Sequence, residues 1–302
     1  MKKALIIFLA SLFSIQLFAQ ENDDVFWTDS LRHYERRLAV IGDSMLNSKS
    51  MFVRQANAKK MIKVFRQALK VKGGYNYPFD SLVFISKLRP KDDAFRMFTW
   101  ILKIDGGKYR YFGVVHMNDP KRFVYHPLFD RSSNEVPGLA EETNPNSGII
   151  DSVYNNKSWF GMHYYDVGLV KEKKFFGLKS KSYYVLTGWD GNNNISHKKI
   201  IDVMYFKNGE PIFGAPVFEF EGKTQTRVVL EYNAQAVITL KWHHNDNMIS
   251  FDHLVPPSKK NIENKFTYIP SGQYDYLLWK NGSWKFEEDL FNTFNKPVDE
   301  AN

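Results

Sequence analysis

The residues best suited to chemistry sit in one short stretch: His243, His244, Asp252 and His253. Imidazoles and a carboxylate in one hairpin are the parts of a metal site or an acid–base pair. Strand parity argues against a shared site. Ala236, Ile238, Leu240, Trp242 and His244 fall on one face, and Ile249, Phe251 and His253 must join it. Keeping both apolar sets together requires an even loop through Asn245, Asp246 and Asn247. His253 then lies opposite Leu240 or Ile238, and at about 3.3 Å per residue that is too far from His244 to share a ligand. Asp252 falls on the other face, opposite Lys241 or Thr239, where a cross-strand pair accounts for it. His244 and His253 therefore stand as separate binding candidates, each open to a partner from a third strand.

A second candidate is the run Trp189-Asp190-Gly191-Asn192-Asn193-Asn194. Oxygen-bearing side chains around a glycine suggest a calcium loop, but one carboxylate is too few, and Asp-Gly followed by asparagines is ordinary turn chemistry. Trp100, Trp159, Trp189, Trp242, Trp279 and Trp284 lie in or beside expected strands. With Asn and Asp nearby they suit sugar stacking, and packing alone also accounts for aromatics in strands. No metal ligand set and no cofactor fingerprint is present, and no nucleophile elbow, zinc-protease helix or phosphate loop occurs.

The strongest charge signal lies near the N-terminus. The chain carries +8, and without Lys2 and Lys3 there remain 39 basic and 33 acidic residues, or +6. Residues 31 to 72 hold eleven Lys or Arg against Glu35 and Asp43, so this segment alone carries +9 and the rest of the mature chain about −3. Lys59, Lys60, Lys63 and Arg66 mark its centre as a binding face for anionic lipid or an acidic polymer, with affinity falling as salt rises. A solvated helix face is the plain alternative.

The first residues decide the compartment. Met1-Lys2-Lys3, an apolar run from Ala4 to Leu17 and then Phe18-Ala19-Gln20 read as a cleavable secretory signal peptide. The run is shorter than the roughly 20 residues a spanning helix needs. The expected location is the periplasm or the cell exterior, which sets nucleic acid aside as a partner, and no later stretch is long and apolar enough to span a membrane. There is no cysteine, so thiol catalysis, thiolate zinc sites, disulfides and lipidation at cysteine are all excluded.

The elements that must position these groups change period along the chain. Residues 29 to 72 read as two helices. Thr28 or Asp29 suits the first cap, and Leu31, Tyr34, Leu38, Ile41 and Met45 form one stripe, with Gly42 weakening its last turn. Ser48 or Ser50 caps the second helix, whose stripe includes Phe52, Ala56, Met61, Phe65 and Leu69, and Gly73-Gly74 ends it. After Ser81 strands dominate. Asp105-Gly106, Asn208-Gly209 and Asn281-Gly282 mark two-residue hairpins. Strands are expected at 82–88, 95–104, 108–116, 183–189, 200–206, 211–220, 226–232, 236–244, 248–254, 274–280 and 283–286, with a loop over 129–148 and a short helix near 149–154. The expected fold is α+β and mostly antiparallel β. It has a signal peptide (1–20), a basic helical hairpin and link (21–80), a β-rich sandwich or open-barrel-like domain (81–295) and a C-terminal tail (296–302).

Phe18-Ala19-Gln20, the run from Tyr183 to Asn193, the run from Pro211 to Phe218, and Phe251-Asp252-His253-Leu254-Val255-Pro256-Pro257 together resemble a family of uncharacterised exported proteins of the Bacteroidota. The resemblance implies an envelope location and lends no catalytic residues. The reading that follows is an exported, envelope-associated binding or interaction protein whose partner is an anionic lipid, an acidic polymer or a glycan. The alternative is an exported hydrolase acting on a glycan or peptide.

Overall fold

The computed structural model describes residues 27–131, 147–171 and 182–288. The expected signal peptide and C-terminal tail, and residues 132–146 of the expected loop, lie outside the described residues. The chain divides into two compact units, Met1–Phe84 and Ile85–Asn302.

The first unit holds two helices, α1 (27–47) and α2 (Met51–Lys70). Leu31, Leu38, Ile41 and Met45 of α1 are buried, so the sequence stripe is the packed face. Thr28 and Asp29 do not cap the helix; both lie within it, and Asp29 pairs with Arg32 one turn on at 3.1 Å. The helix runs unbroken through Gly42 to residue 47. A Cβ on Gly42 would come within 2.1 Å of the Phe84 ring, so the glycine lets an aromatic ring lie on the helix backbone. Ser50 caps α2, its hydroxyl accepting from Val53 N at 3.5 Å. The buried face of α2 is Ala58, Met61, Val64, Phe65, Ala68 and Leu69. Phe52 and Ala56, expected in that face, are exposed; Phe52 is 80% accessible.

The second unit is built from β-strands in three sheets, mostly antiparallel. The first is β1 (Ser86–Leu88), β2 (Phe95–Lys103), β3 (Tyr109–Met117) and β4 (Tyr125–Phe129), paired in that order. A short helix, α3 (Ser147–Ile150), precedes the second sheet. That sheet comprises β5 (Tyr154–Asn155), β6 (His163–Lys171), β7 (Ser182–Asp190), β8 (Ser196–Lys207) and β9 (Glu210–Phe213), ordered β5-β9-β8-β7-β6. The third has β10 (Phe218–Phe220), β11 (Lys223–Gln225), β13 (Leu240–His243), β14 (Met248–Val255), β15 (Ile269–Lys280) and β16 (Ser283–Glu287), ordered β11-β10-β16-β15-β14-β13. β12 (Val228–Asn233) pairs with the N-terminal half of β8.

Residue parity shows how these sheets stack. Val185, Ile201 and Val203 of the second sheet pack with Phe251, Leu277 and Trp284 of the third. Their neighbours Tyr184, Leu186, Ile200 and Met204 pack with Phe95, Met97 and Val115 of the first. The second sheet is therefore the middle layer. Successive side chains leave a strand on opposite faces, so β7 and β8 must be buried on both faces, as they are from Tyr183 to Gly188 and from Ile200 to Met204. The expected sandwich is present with a third layer added to it.

Local chemistry explains the turns. Asn208 (φ 54°) with Gly209 (φ 79°), and Asn281 (φ 52°) with Gly282 (φ 87°), close two-residue hairpins between Lys207 and Glu210 and between Lys280 and Ser283. Both central residues need positive φ, which Asn and Gly tolerate best. Asp105-Gly106 instead lies in a short 3-10 turn, and the β2–β3 hairpin closes between Lys103 and Tyr109, a longer loop than expected. The expected strand over 211–220 is two strands in different sheets. The chain leaves the middle layer at Gly214 (φ 93°) and joins the outer sheet at Phe218.

Candidate functional site

Lys59, Lys60, Lys63 and Arg66 are all exposed on α2. One of the two acids in the same region is not on the surface. Glu35 of α1 is buried, accepting from Tyr77 Oη at 2.6 Å and Ser81 N at 2.8 Å. Burial and this carboxylate push the Tyr77 phenol up to about 12. Asp43 is thus the one exposed acid between residues 31 and 72, against ten exposed cations. The exposed charge of this segment is therefore strongly positive.

The Trp189–Asn192 segment is a structural turn. Asp190 is buried and accepts from Tyr111 Oη at 2.7 Å and Asn192 N at 2.8 Å. Burial raises its pKa from the ordinary carboxylate value. Asn192 (φ 46°) donates to Ser196 Oγ at 2.8 Å, and that hydroxyl donates to Glu231 at 2.6 Å. The oxygens of this loop hold the turn together. Trp189 makes edge contacts with Tyr109 and His197, with ring centroids 5.5 and 5.2 Å apart. Among the described residues no three His, Asp or Glu side chains form a group that could hold a metal ion.

The histidines each take a partner from another strand. Leu240 pairs with Phe251 and His243 with Met248, which leaves an even loop, His244–Asn247. This register puts His253 level with Ile238 and Asp252 opposite Thr239. Asp252 accepts from the Thr239 amide at 2.5 Å. His244 is stacked on Trp242, with centroids 5.0 Å apart, and its Nε2 lies 3.1 Å from both carboxylate oxygens of Asp166 on β6. His253 Nδ1 lies 2.8 Å from Asp275 Oδ2 on β15. Structure thus keeps the two histidines apart and gives each its own carboxylate.

The second pair is positioned by the β14–β15 register, in which Asp275 pairs with Phe251 and so stands diagonal to His253 on the same face, beside an irregularity. Asp252 pairs with Tyr274 but Leu254 with Pro270, so Ser271, Gly272 and Gln273 face His253 alone. Gly272 supplies the positive φ, 92°, that the bulge requires. His253 and Asp275 line a cavity of about 310 Å³. Phe220, Phe251 and Phe286 form one wall; the Phe220 and Phe286 rings lie 4.6 Å apart. Leu230 also lines it, and Glu231, Asp252 and Glu288 add carboxylates to the lining. With the His253 Nδ1–H donating to Asp275, Nε2 of the neutral ring is left as its basic atom. That is the arrangement of a general base held in one orientation by a carboxylate.

Asp166 and Asp275, the partners that complete these pairs, were not singled out in the sequence. The signal for Asp275 was present: it shares strand parity with Leu277 and Trp279, so it is a carboxylate on an apolar face. Asp166 carried no such signal, because β6 was not among the expected strands. No family model matches the chain, and no curated protein or solved structure matches it either.

Proposed function

We propose that this protein is an exported, envelope-associated binding protein that docks through the basic face of α2 onto an anionic envelope component. The observation that carries this reading is the separation of charge within the helical segment. Its cations stand on the surface, while Glu35 is consumed by Tyr77 and Ser81 inside. The N-terminal sequence supports export, and among the described residues no helix is long and apolar enough to cross a membrane. The test is co-sedimentation of the mature chain with purified envelope at low and high salt. Binding at low salt that falls at high salt, and that is lost when Lys59, Lys60, Lys63 and Arg66 are changed to Gln, is the expected result. Binding untouched by the four changes overturns the reading.

A second reading, an exported hydrolase acting on a glycan or peptide, is favoured by the His253–Asp275 pair in its cavity. Glycan and peptide screens with the wild type and His253→Ala test it. Turnover that disappears in the variant supports this reading, and the absence of turnover on every substrate counts against it.

A further inference from the structure

The exposed face of α2 carries more than charge. Phe52, Lys59, Lys63, Arg66 and Lys70 are all exposed. Their separations of seven, four, three and four residues put them within an arc of about 60° at 3.6 residues per turn. The four cations extend for about 16 Å along the helix at 1.5 Å per residue. At the N-terminal end of this row stands a phenylalanine that is 80% accessible, with Val53 beside it at 39%. The buried residues Met61, Val64, Phe65 and Ala68 lie on the opposite side, so α2 has one face for its own unit and a second that is basic and tipped with an aromatic ring.

An acidic polymer in water offers the cations what they need and offers the ring nothing. A lipid surface satisfies both, because phosphates lie beside an apolar layer that a side chain can reach. We propose that α2 lies along an anionic phospholipid bilayer, with Lys59, Lys63, Arg66 and Lys70 at the phosphates and the Phe52 ring inserted beneath them. This rests on the docking reading above and narrows its partner to lipid.

The test uses the full mature chain and two kinds of vesicle, one of phosphatidylglycerol with phosphatidylethanolamine, the other of phosphatidylcholine alone. The chain contains no cysteine, so Phe52→Cys carries one environment-sensitive dye cleanly, and Lys241→Cys on the β-rich unit serves as the control. Anionic vesicles are expected to bind the protein and the neutral ones not. Phe52→Ala should weaken binding about tenfold, and the dye at position 52, not at 241, should shift to the blue. Changing the four cations to Gln should abolish binding. Vesicle binding that is indifferent to Phe52→Ala, with a dye that stays in water, overturns the insertion while electrostatic docking stands. Sedimentation with envelope but not with vesicles overturns the lipid partner in favour of an envelope polymer. Loss of both overturns this proposal together with the docking reading.

Discussion

Arg227 Nε donates to Asp202 Oδ1 at 3.2 Å, with both side chains essentially excluded from solvent. The guanidinium also donates through Nη1 to the carbonyls of Ile149 and Ser152, and it lies over the Tyr154 ring at 4.9 Å. Tyr164 Oη donates to the other oxygen of Asp202 at 3.1 Å. One ion pair thereby ties the segment before β5 to the middle sheet.

Removing one partner of such a pair leaves the other charge buried and uncompensated. Asp202→Ala is expected to cost about 3–5 kcal/mol of folding stability. Replacing Arg227 and Asp202 together by apolar residues of similar volume should cost much less. Urea unfolding followed by tryptophan fluorescence measures both, and equal losses in the two variants would refute the account.

Gly42 sets two effects against each other. Alanine in a helix interior is favoured over glycine by up to about 1 kcal/mol. A methyl here meets three atoms of the Phe84 ring at 2.1 to 2.9 Å. Displacing the ring should outweigh the propensity gain, for a net loss of about 1–2 kcal/mol. In a Phe84→Ala background the same Gly42→Ala change should become neutral or stabilising, which a double-mutant cycle reads directly.

His116 makes stability depend on pH. Burial, with the nearby Arg96 adding to it, pushes its pKa down from 6.5 to about 4. The native state therefore binds fewer protons than the unfolded chain between these values. Its contribution is complete above pH 6.5 and is lost as pH falls through about 4, a total of about 3 kcal/mol at roughly 1.4 kcal/mol per pH unit. His116→Gln should make stability fall less steeply across this window. His163, whose pKa burial also lowers, leaves part of the slope in place. Chemical unfolding at several pH values checks the difference.

Asp275→Asn tests the cavity pair with little change in volume. If His253 acts as a base there, turnover of a glycan or peptide substrate should fall by about 10²-fold or more, because the carboxylate both orients the ring and stabilises its charged form. His253→Ala should fall at least as far, and Asp166→Asn, at the other histidine, should leave turnover unchanged. Equal effects from Asp166→Asn and Asp275→Asn would remove the special role of this cavity.

Much of this arrangement was legible in the sequence because it depends on neighbours along the chain. The stripe of Leu31, Leu38, Ile41 and Met45 fixes the packed face of α1 through the helical period. Asn208-Gly209 and Asn281-Gly282 close hairpins because both central positions need positive φ. The apolar alternation of Leu240 to Trp242 against Ile249 to Phe251 sets the register that separates His244 from His253, and the charge of residues 31 to 72 follows from composition alone. Tertiary structure decided the rest, because contacts between distant strands leave no local trace. Only the pairing of β12 with β8 shows that Arg227 comes level with Asp202 inside the middle layer. Only the β14–β15 register brings Asp275 to His253, and only β6 brings Asp166 to His244. The exposure of Phe52, by contrast, was legible: at 3.6 residues per turn it falls on the side of α2 opposite Met61, Val64, Phe65 and Ala68, so it does not share their packed face.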